Sequence, residues 1–158
     1  MAVTILLADD HEVVRQGLRS ILRSRSDWEI CGEAENGKQA VLCAAELKPD
    51  IIILDITMPV MSGLEATQEI AKLGLSSRIL IFTMHDSKSL VTAVRKAGAK
   101  GCVLKSRAAR DLIRAIEALL QGGTFWSPGL RSEANESDSP KGTNLLLCRS
   151  VGMASSAA

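Results

Sequence analysis

The stretch Pro49-Asp50-Ile51-Ile52-Ile53-Leu54-Asp55-Ile56-Thr57-Met58-Pro59 decides the fold of this chain. Four consecutive branched apolar residues, Ile51 to Leu54, read as a strand buried on both faces. Thr57, Met58, Pro59 and Gly63 then force a loop. The carboxylate of Asp55 therefore stands where a central strand leaves the core. In open parallel sheets ligands bind at the carboxyl ends of the strands. Taken alone, such an Asp is a turn former or a helix cap. Its neighbours change that reading.

Working outward, Val3 to Ala8 is an apolar strand ended by Asp9 and Asp10. Val14, Leu18, Ile21 and Leu22 recur at helical spacing, with Arg15, Arg19 and Arg23 on another face. Trp28 to Ala34 is a second strand. Asn36 caps a helix in which Ala40, Val41, Ala44 and Leu47 point inward. After the strand ending at Asp55, a helix marked by Leu64, Thr67, Ile70 and Leu73 stops at Gly74. Arg78 to Thr83 is the fourth strand. Ser87 caps a helix using Leu90, Val91 and Val94, with Gly98 just past its end. Gly101 to Leu104 is the fifth strand. Leu112, Ile113, Ile116, Leu119 and Leu120 mark a last helix, ended by Gly122 and Gly123.

Strand and helix alternate five times. Short right-handed crossovers then demand a parallel sheet with helices on both faces. The expected fold is α/β, a flavodoxin-like (βα)5 three-layer sandwich with strand order 2-1-3-4-5. Composition shifts near Ser127, so residues 1–126 are expected to form the domain and residues 127–158 a linker or disordered tail.

Hydrophobic residues make up 46% of the 158, enough for one proper core. A net charge of +1 argues against a non-specific nucleic-acid or membrane binder. The cysteines Cys31, Cys43, Cys102 and Cys148 include no closely spaced pair, which excludes a ribbon-type zinc site and reads as reduced thiols. The apolar run Val3 to Ala8 is too short for a signal or spanning segment. A soluble, cytoplasmic protein is expected.

In the expected strand order the first and third strands are neighbours, so Asp9, Asp10 and Asp55 emerge side by side. Three crowded carboxylates need a proton or a cation to offset their repulsion. Oxygen-only ligands suit a hard divalent ion such as Mg²⁺. Thr83 ends the fourth strand with a hydroxyl, and Lys105 follows the fifth with an ammonium. Together these groups fit a phosphoryl group on a carboxylate beside Mg²⁺. His11 and His85 fall near the rim.

The stretches LLADDHEVVRQGL (6–18), PDIIILDITMPVMSGLEA (49–66), ILIFTMHD (79–86) and GAKGCVLKS (98–106) resemble the receiver domains of two-component response regulators. The resemblance runs over roughly residues 3–121 and is nearest to the subfamily with a C-terminal LuxR-type helix-turn-helix. It implies that Asp55 takes phosphate from a histidine kinase. It also implies that Asp10, Asp55 and the Thr57 backbone carbonyl bind Mg²⁺ directly, with Asp9 acting through water. Thr83 and Lys105 would hold the phosphoryl oxygens. Receivers of this kind often dimerise through helix 4, strand 5 and helix 5, so a homodimer on phosphorylation is expected.

Two positions depart from the family pattern. Many receivers carry an aromatic residue three positions before the Lys, and its inward swing reports phosphorylation. Here that position is Cys102, so an aromatic rotamer switch is unavailable. The tail is the second departure. Only 32 residues follow Trp126, with Arg131, Lys141 and Arg149 set against Glu133, Glu136 and Asp138. No DNA binding by this chain alone is expected. It reads either as a stand-alone receiver or as a remnant of a longer transcription factor. Thr57 and His85 are candidates for tuning the lifetime of the acyl phosphate.

The favoured function is a switch, not a turnover enzyme. Two alternatives share the scaffold. A flavin- or nucleotide-binding protein would place phosphate at the loop after the first strand, where Asp9, Asp10 and Glu12 repel it. An aspartyl-phosphate hydrolase needs a second acid near the nucleophile, and Thr57 stands where that acid would be.

Overall fold

A computed structural model describes residues 2–127. Its elements alternate: β1 (Val3–Ala8), α1 (Glu12–Leu22), β2 (Trp28–Ala34), α2 (Gly37–Leu47), β3 (Ile51–Asp55), α3 (Gly63–Lys72), β4 (Arg78–Thr83), α4 (Lys88–Ala97) and β5 (Gly101–Leu104). A 3-10 turn (Lys105–Arg107), α5 (Ala108–Leu120) and β6 (Phe125–Trp126) complete it. The strands form one parallel sheet in the order β2-β1-β3-β4-β5-β6. The expected order 2-1-3-4-5 holds, and β6 extends it by one short edge strand.

Alternation along each strand builds two cores, because successive side chains point to opposite faces. Ile52 and Leu54 join Leu6, Ile81 and Cys102 under α2, α3 and α4, through Ala44, Ile70 and Val94. Ile51 and Ile53 join Ile5, Leu7, Leu80 and Val103 under α1 and α5, through Leu18, Leu112 and Ile116. With a helical layer on each face, β3 is buried along its whole length. That is why its sequence is a continuous apolar run.

The helix starts are capped by side chains where the sequence placed them. Asn36 Oδ1 accepts from Gln39 N at 2.9 Å, and Ser87 Oγ accepts from Leu90 N at 3.3 Å. Ser62 and Glu65 form a capping box on α3 that was not anticipated, although Ser-x-x-Glu is its signature. Two expected core positions are exposed instead: Leu47 at 41% and Leu73 at 43%. Leu47 is the last residue of α2, over the edge strand β2, and Leu73 is the cap residue after α3. At both places the covering layers run out.

Ser127, assigned by composition to the tail, belongs to the fold. It is fully buried, and its N–H donates to the Cys102 carbonyl at 2.9 Å. Its Oγ accepts from Leu104 N at 3.2 Å and donates to Asp111 Oδ2 at 3.0 Å. Asp111 is a fully buried carboxylate that also accepts from Arg107 Nε at 2.9 Å. Ser127→Ala removes one donor from this carboxylate and strands the Leu104 N–H. A loss of about 1–3 kcal/mol is expected, the cost of leaving buried polar groups unmet. Urea unfolding should show a lower midpoint at unchanged slope; an unchanged midpoint would refute the clasp. The remaining expected tail, residues 128–158, lies outside the described residues.

Candidate functional site

Ala8 pairs with Leu54 in the register of β1 and β3, so the residue just past β1 and the last residue of β3 come together at the same sheet edge. Asp9 and Asp55 are those residues. Both are nearly buried, at 1% and 5% exposure. Lys105, one residue past β5, reaches across to them. Its Nζ donates to Asp9 Oδ2 at 2.9 Å and lies 3.4 Å from Asp55 Oδ1. The ammonium also sits 5.7 Å from the centre of the Phe82 ring. A buried carboxylate is tolerable only with such a partner.

One ammonium does not balance the cluster. Asp9, Asp10, His11 and Asp55 each offer a ligand atom, all within 4.8 Å of one another. Burial, then the charge of Asp9, push the pKa of Asp55 above the usual carboxylate value, against the pull of Lys105. Asp10 Oδ1 is buried and accepts no hydrogen bond, although His11 Nδ1 lies 3.1 Å away. Distance alone does not make that contact a hydrogen bond. A crowded oxygen set with an orphaned acceptor is suited to a hard divalent cation.

The groups expected from the sequence surround one pocket of about 200 Å³. Asp10, Asp55, Thr57, Thr83, His85 and Lys105 line it, with His11 and Met84. Asp9 lies beneath, bonded to the His11 N–H through Oδ1 at 2.9 Å. Thr83 Oγ1 accepts from His85 N at 3.1 Å, which leaves its own O–H to donate. His11 and His85 are exposed residues at the rim, as the sequence placed them. Cys102 is fully buried on β5, level with Trp126 of β6, and burial pushes its thiol up to about 12. It is a neutral, apolar filler.

Sequence reasoning missed one charged residue here. The sequence sets Arg15 with Arg19 and Arg23 on a face other than the apolar one, yet Arg15 is buried, and its Nη1 donates to the Asp9 carbonyl at 2.6 Å. Its spacing from Leu18 and Leu22 puts it on the inner side of α1. That i, i+3, i+7 spacing is the signal in the sequence, and the charge of Arg15 masks it.

The fold and site together define a doubly wound sheet with a cation-ready acid cluster at its switch point, facing a hydroxyl and an ammonium. The family model described as "Response regulator receiver domain" matches residues 5–117. The chain belongs to that family, the receivers of two-component response regulators. It is 36% identical over 126 residues to the transcriptional regulatory protein DegU of Brevibacillus brevis, covering 80% of this chain and 53% of that one. The chain thus spans about half the length of that curated relative. A two-component response regulator of the LuxR family from Aurantimonas sp. SI85-9A1 superposes with a TM-score of 0.80 at 37% identity, covering 87% of this chain and 99% of that one. The isolated receiver of RcsB from Salmonella enterica serovar Typhimurium, solved with the phosphomimetic BeF3⁻, gives 0.75 at 27% identity, covering 82% and 96%. None of these matches supports the flavin-binding or hydrolase alternatives. Receiver domains are generally Mg²⁺-dependent, and the acid cluster described above is of the matching chemistry. Among the described residues no helix is long and apolar enough to cross a membrane.

Proposed function

We propose that Asp55 is the phosphoacceptor of a Mg²⁺-dependent phosphorelay, with a histidine kinase as donor. The observation that carries this is the cluster itself: Asp9, Asp10 and Asp55 share one small pocket with Thr83 and Lys105. Asp9, Asp10, Asp55 and the Thr57 backbone carbonyl would hold the cation. Bound there, Mg²⁺ offsets the negative charge of the carboxylates and of the incoming phosphoryl oxygens.

An Asp55 carboxylate oxygen attacks phosphorus. The new bond is O–P, the bond broken is P–N of a phosphohistidine, and the released imidazole nitrogen takes up a proton. Lys105 then exchanges part of its contact with Asp55 for a phosphoryl oxygen. The Thr83 hydroxyl donates to another, since its acceptor side is already used by His85 N. Thr57 and His85 line the pocket, and we read them as setting how water reaches the acyl phosphate.

Thr83 ends β4 and Lys105 follows β5, so their movement passes to α4, β5 and α5. That face is our candidate for the output and for a homodimer on phosphorylation. With Cys102 in place of an aromatic side chain, the change is carried by packing shifts and not by a ring swing. Residues 84–105 should therefore show moved amide signals with a phosphoryl mimic. The protein acts as a cytoplasmic switch, not a turnover enzyme. The receiver unit extends through Ser127. Control of transcription would need a DNA-binding partner or module beyond the receiver.

The test is intact mass after incubation with acetyl phosphate. One phosphoryl group should add in the presence of Mg²⁺ and none after chelation. Equal labelling in both conditions would contradict the reading.

A further inference from the structure

Arg15 is the most buried guanidinium among the described residues, at 8% exposure. Each of its three guanidinium nitrogens donates a bond. Nε donates to Glu33 Oε1 at 2.8 Å, Nη2 donates to Glu12, and Nη1 donates to the Asp9 carbonyl at 2.6 Å. Arg19 grips the same two glutamates from outside. Its Nη1 reaches both Glu33 oxygens at 2.6 and 2.7 Å, and its Nη2 reaches Glu12 Oε1 at 2.9 Å. Two cations and two anions balance, so this cluster carries no net charge into the neighbouring acid pocket.

The two arginines differ in one respect. Arg15 sends a bond out of the cluster, to the peptide that joins Asp9 to Asp10. The preceding peptide is already fixed, because Asp9 N donates to the Ala34 carbonyl at 3.0 Å. Beyond it the chain leaves the sheet, and α1 begins only at Glu12. The Asp9–Asp10 peptide thus lies between two regular elements, and its orientation sets where both carboxylates point. A planar fork held by two glutamates is a rigid donor for that carbonyl.

We propose that Arg15 is a positioning residue for divalent-cation binding: it fixes the Asp9–Asp10 peptide, and Glu12 and Glu33 hold Arg15 in place. The proposal rests on the reading of Asp9 and Asp10 as the cation site. The competing reading is a plain stabilising tie between α1 and β2, in which Arg15 and Arg19 are equivalent. Groups that orient metal ligands from behind typically change metal affinity by about 10–100-fold when removed.

Mg²⁺ titration by calorimetry, with a thermal unfolding scan of each protein, separates the two. Arg19→Met should lower the unfolding midpoint and leave Mg²⁺ affinity within about twofold of wild type. Arg15→Met should weaken Mg²⁺ binding by about tenfold or more. Arg15→Lys, which keeps the charge but not the fork, should fall between, and it decides the matter if Arg15→Met does not fold. Wild-type affinity in a folded Arg15 variant would overturn the proposal, as would equal losses in the Arg15 and Arg19 variants. A wild-type protein that binds no Mg²⁺ would instead sink the underlying assignment of the cation site.

Discussion

Asp55→Asn is expected to abolish the phosphoryl adduct and, in metal-free buffer, to raise the unfolding midpoint. The first effect is chemical. The amide has nearly the shape of the carboxylate but lacks its nucleophilic oxygen, so no O–P bond forms. The second effect is electrostatic. Burial and the nearby Asp9 charge raise the pKa of Asp55 above its usual value. The folded state therefore holds that proton more tightly than the unfolded chain does. As pH climbs from the ordinary carboxylate range through the raised value, the metal-free fold loses stability, and the loss persists at neutral pH. Asparagine removes this penalty. Lys105 keeps its 2.9 Å bond to Asp9, so the ammonium is not left alone. Intact mass and a thermal scan at neutral pH read both effects from one preparation. A variant that still gains a phosphoryl group, or that melts below wild type, contradicts the account.

Gly63→Ala carries the next largest effect, and it acts through the backbone. A Cβ on Gly63 would lie 2.0 Å from the Asp55 carbonyl oxygen and 2.8 Å from Ile56 Cα. Neither contact involves a flexible side chain that could turn away. The start of α3 rests on the end of β3, where Gly63 N donates to the Ile56 carbonyl at 2.8 Å. One methyl group must push α3 back, with its Ser62 cap, or displace Asp55. Overpacking a well-filled site costs about 1–3 kcal/mol, occasionally more, and rigid backbone on both sides places this case at the top of that range. Loss of stability and loss of phosphorylation should appear together. Gly17→Ala is the control, since nothing lies within 4 Å of its Cβ position in α1. There alanine should stabilise by about 0.5–1 kcal/mol. If Gly63→Ala matches wild type in both assays, the tight approach of α3 to Asp55 is wrong.

Much of this architecture is written locally. The runs ending at Ala8, Leu54 and Phe82 are apolar because the strands are sandwiched, and each gives way to a polar residue, Asp9, Asp55 or Thr83, at the same sheet edge. Strand order then places Asp9 beside Asp55 without any contact being known. What stayed hidden depends on contacts distant in sequence. Lys105 bonds to a residue 96 positions away, and its grip on both Asp9 and Asp55 is a product of the closed sheet. Asp111 looks like an ordinary acid in the first turn of a helix; its burial and its bond to Ser127 appear only in the folded chain. The two residues of β6 carry no periodicity to detect. Arg15 reads as a surface arginine until Glu12, Glu33 and the Asp9 carbonyl are seen to converge on it.

The most direct test of the central claim is to locate the phosphoryl group on the wild-type chain. After Mg²⁺ and acetyl phosphate, borohydride reduces an aspartyl phosphate to homoserine, and peptide mass spectrometry finds the altered residue. The account predicts homoserine at position 55 alone. Modification at Asp9 or Asp10 with Asp55 intact, or phosphate recovered instead on His11 or His85, would contradict it.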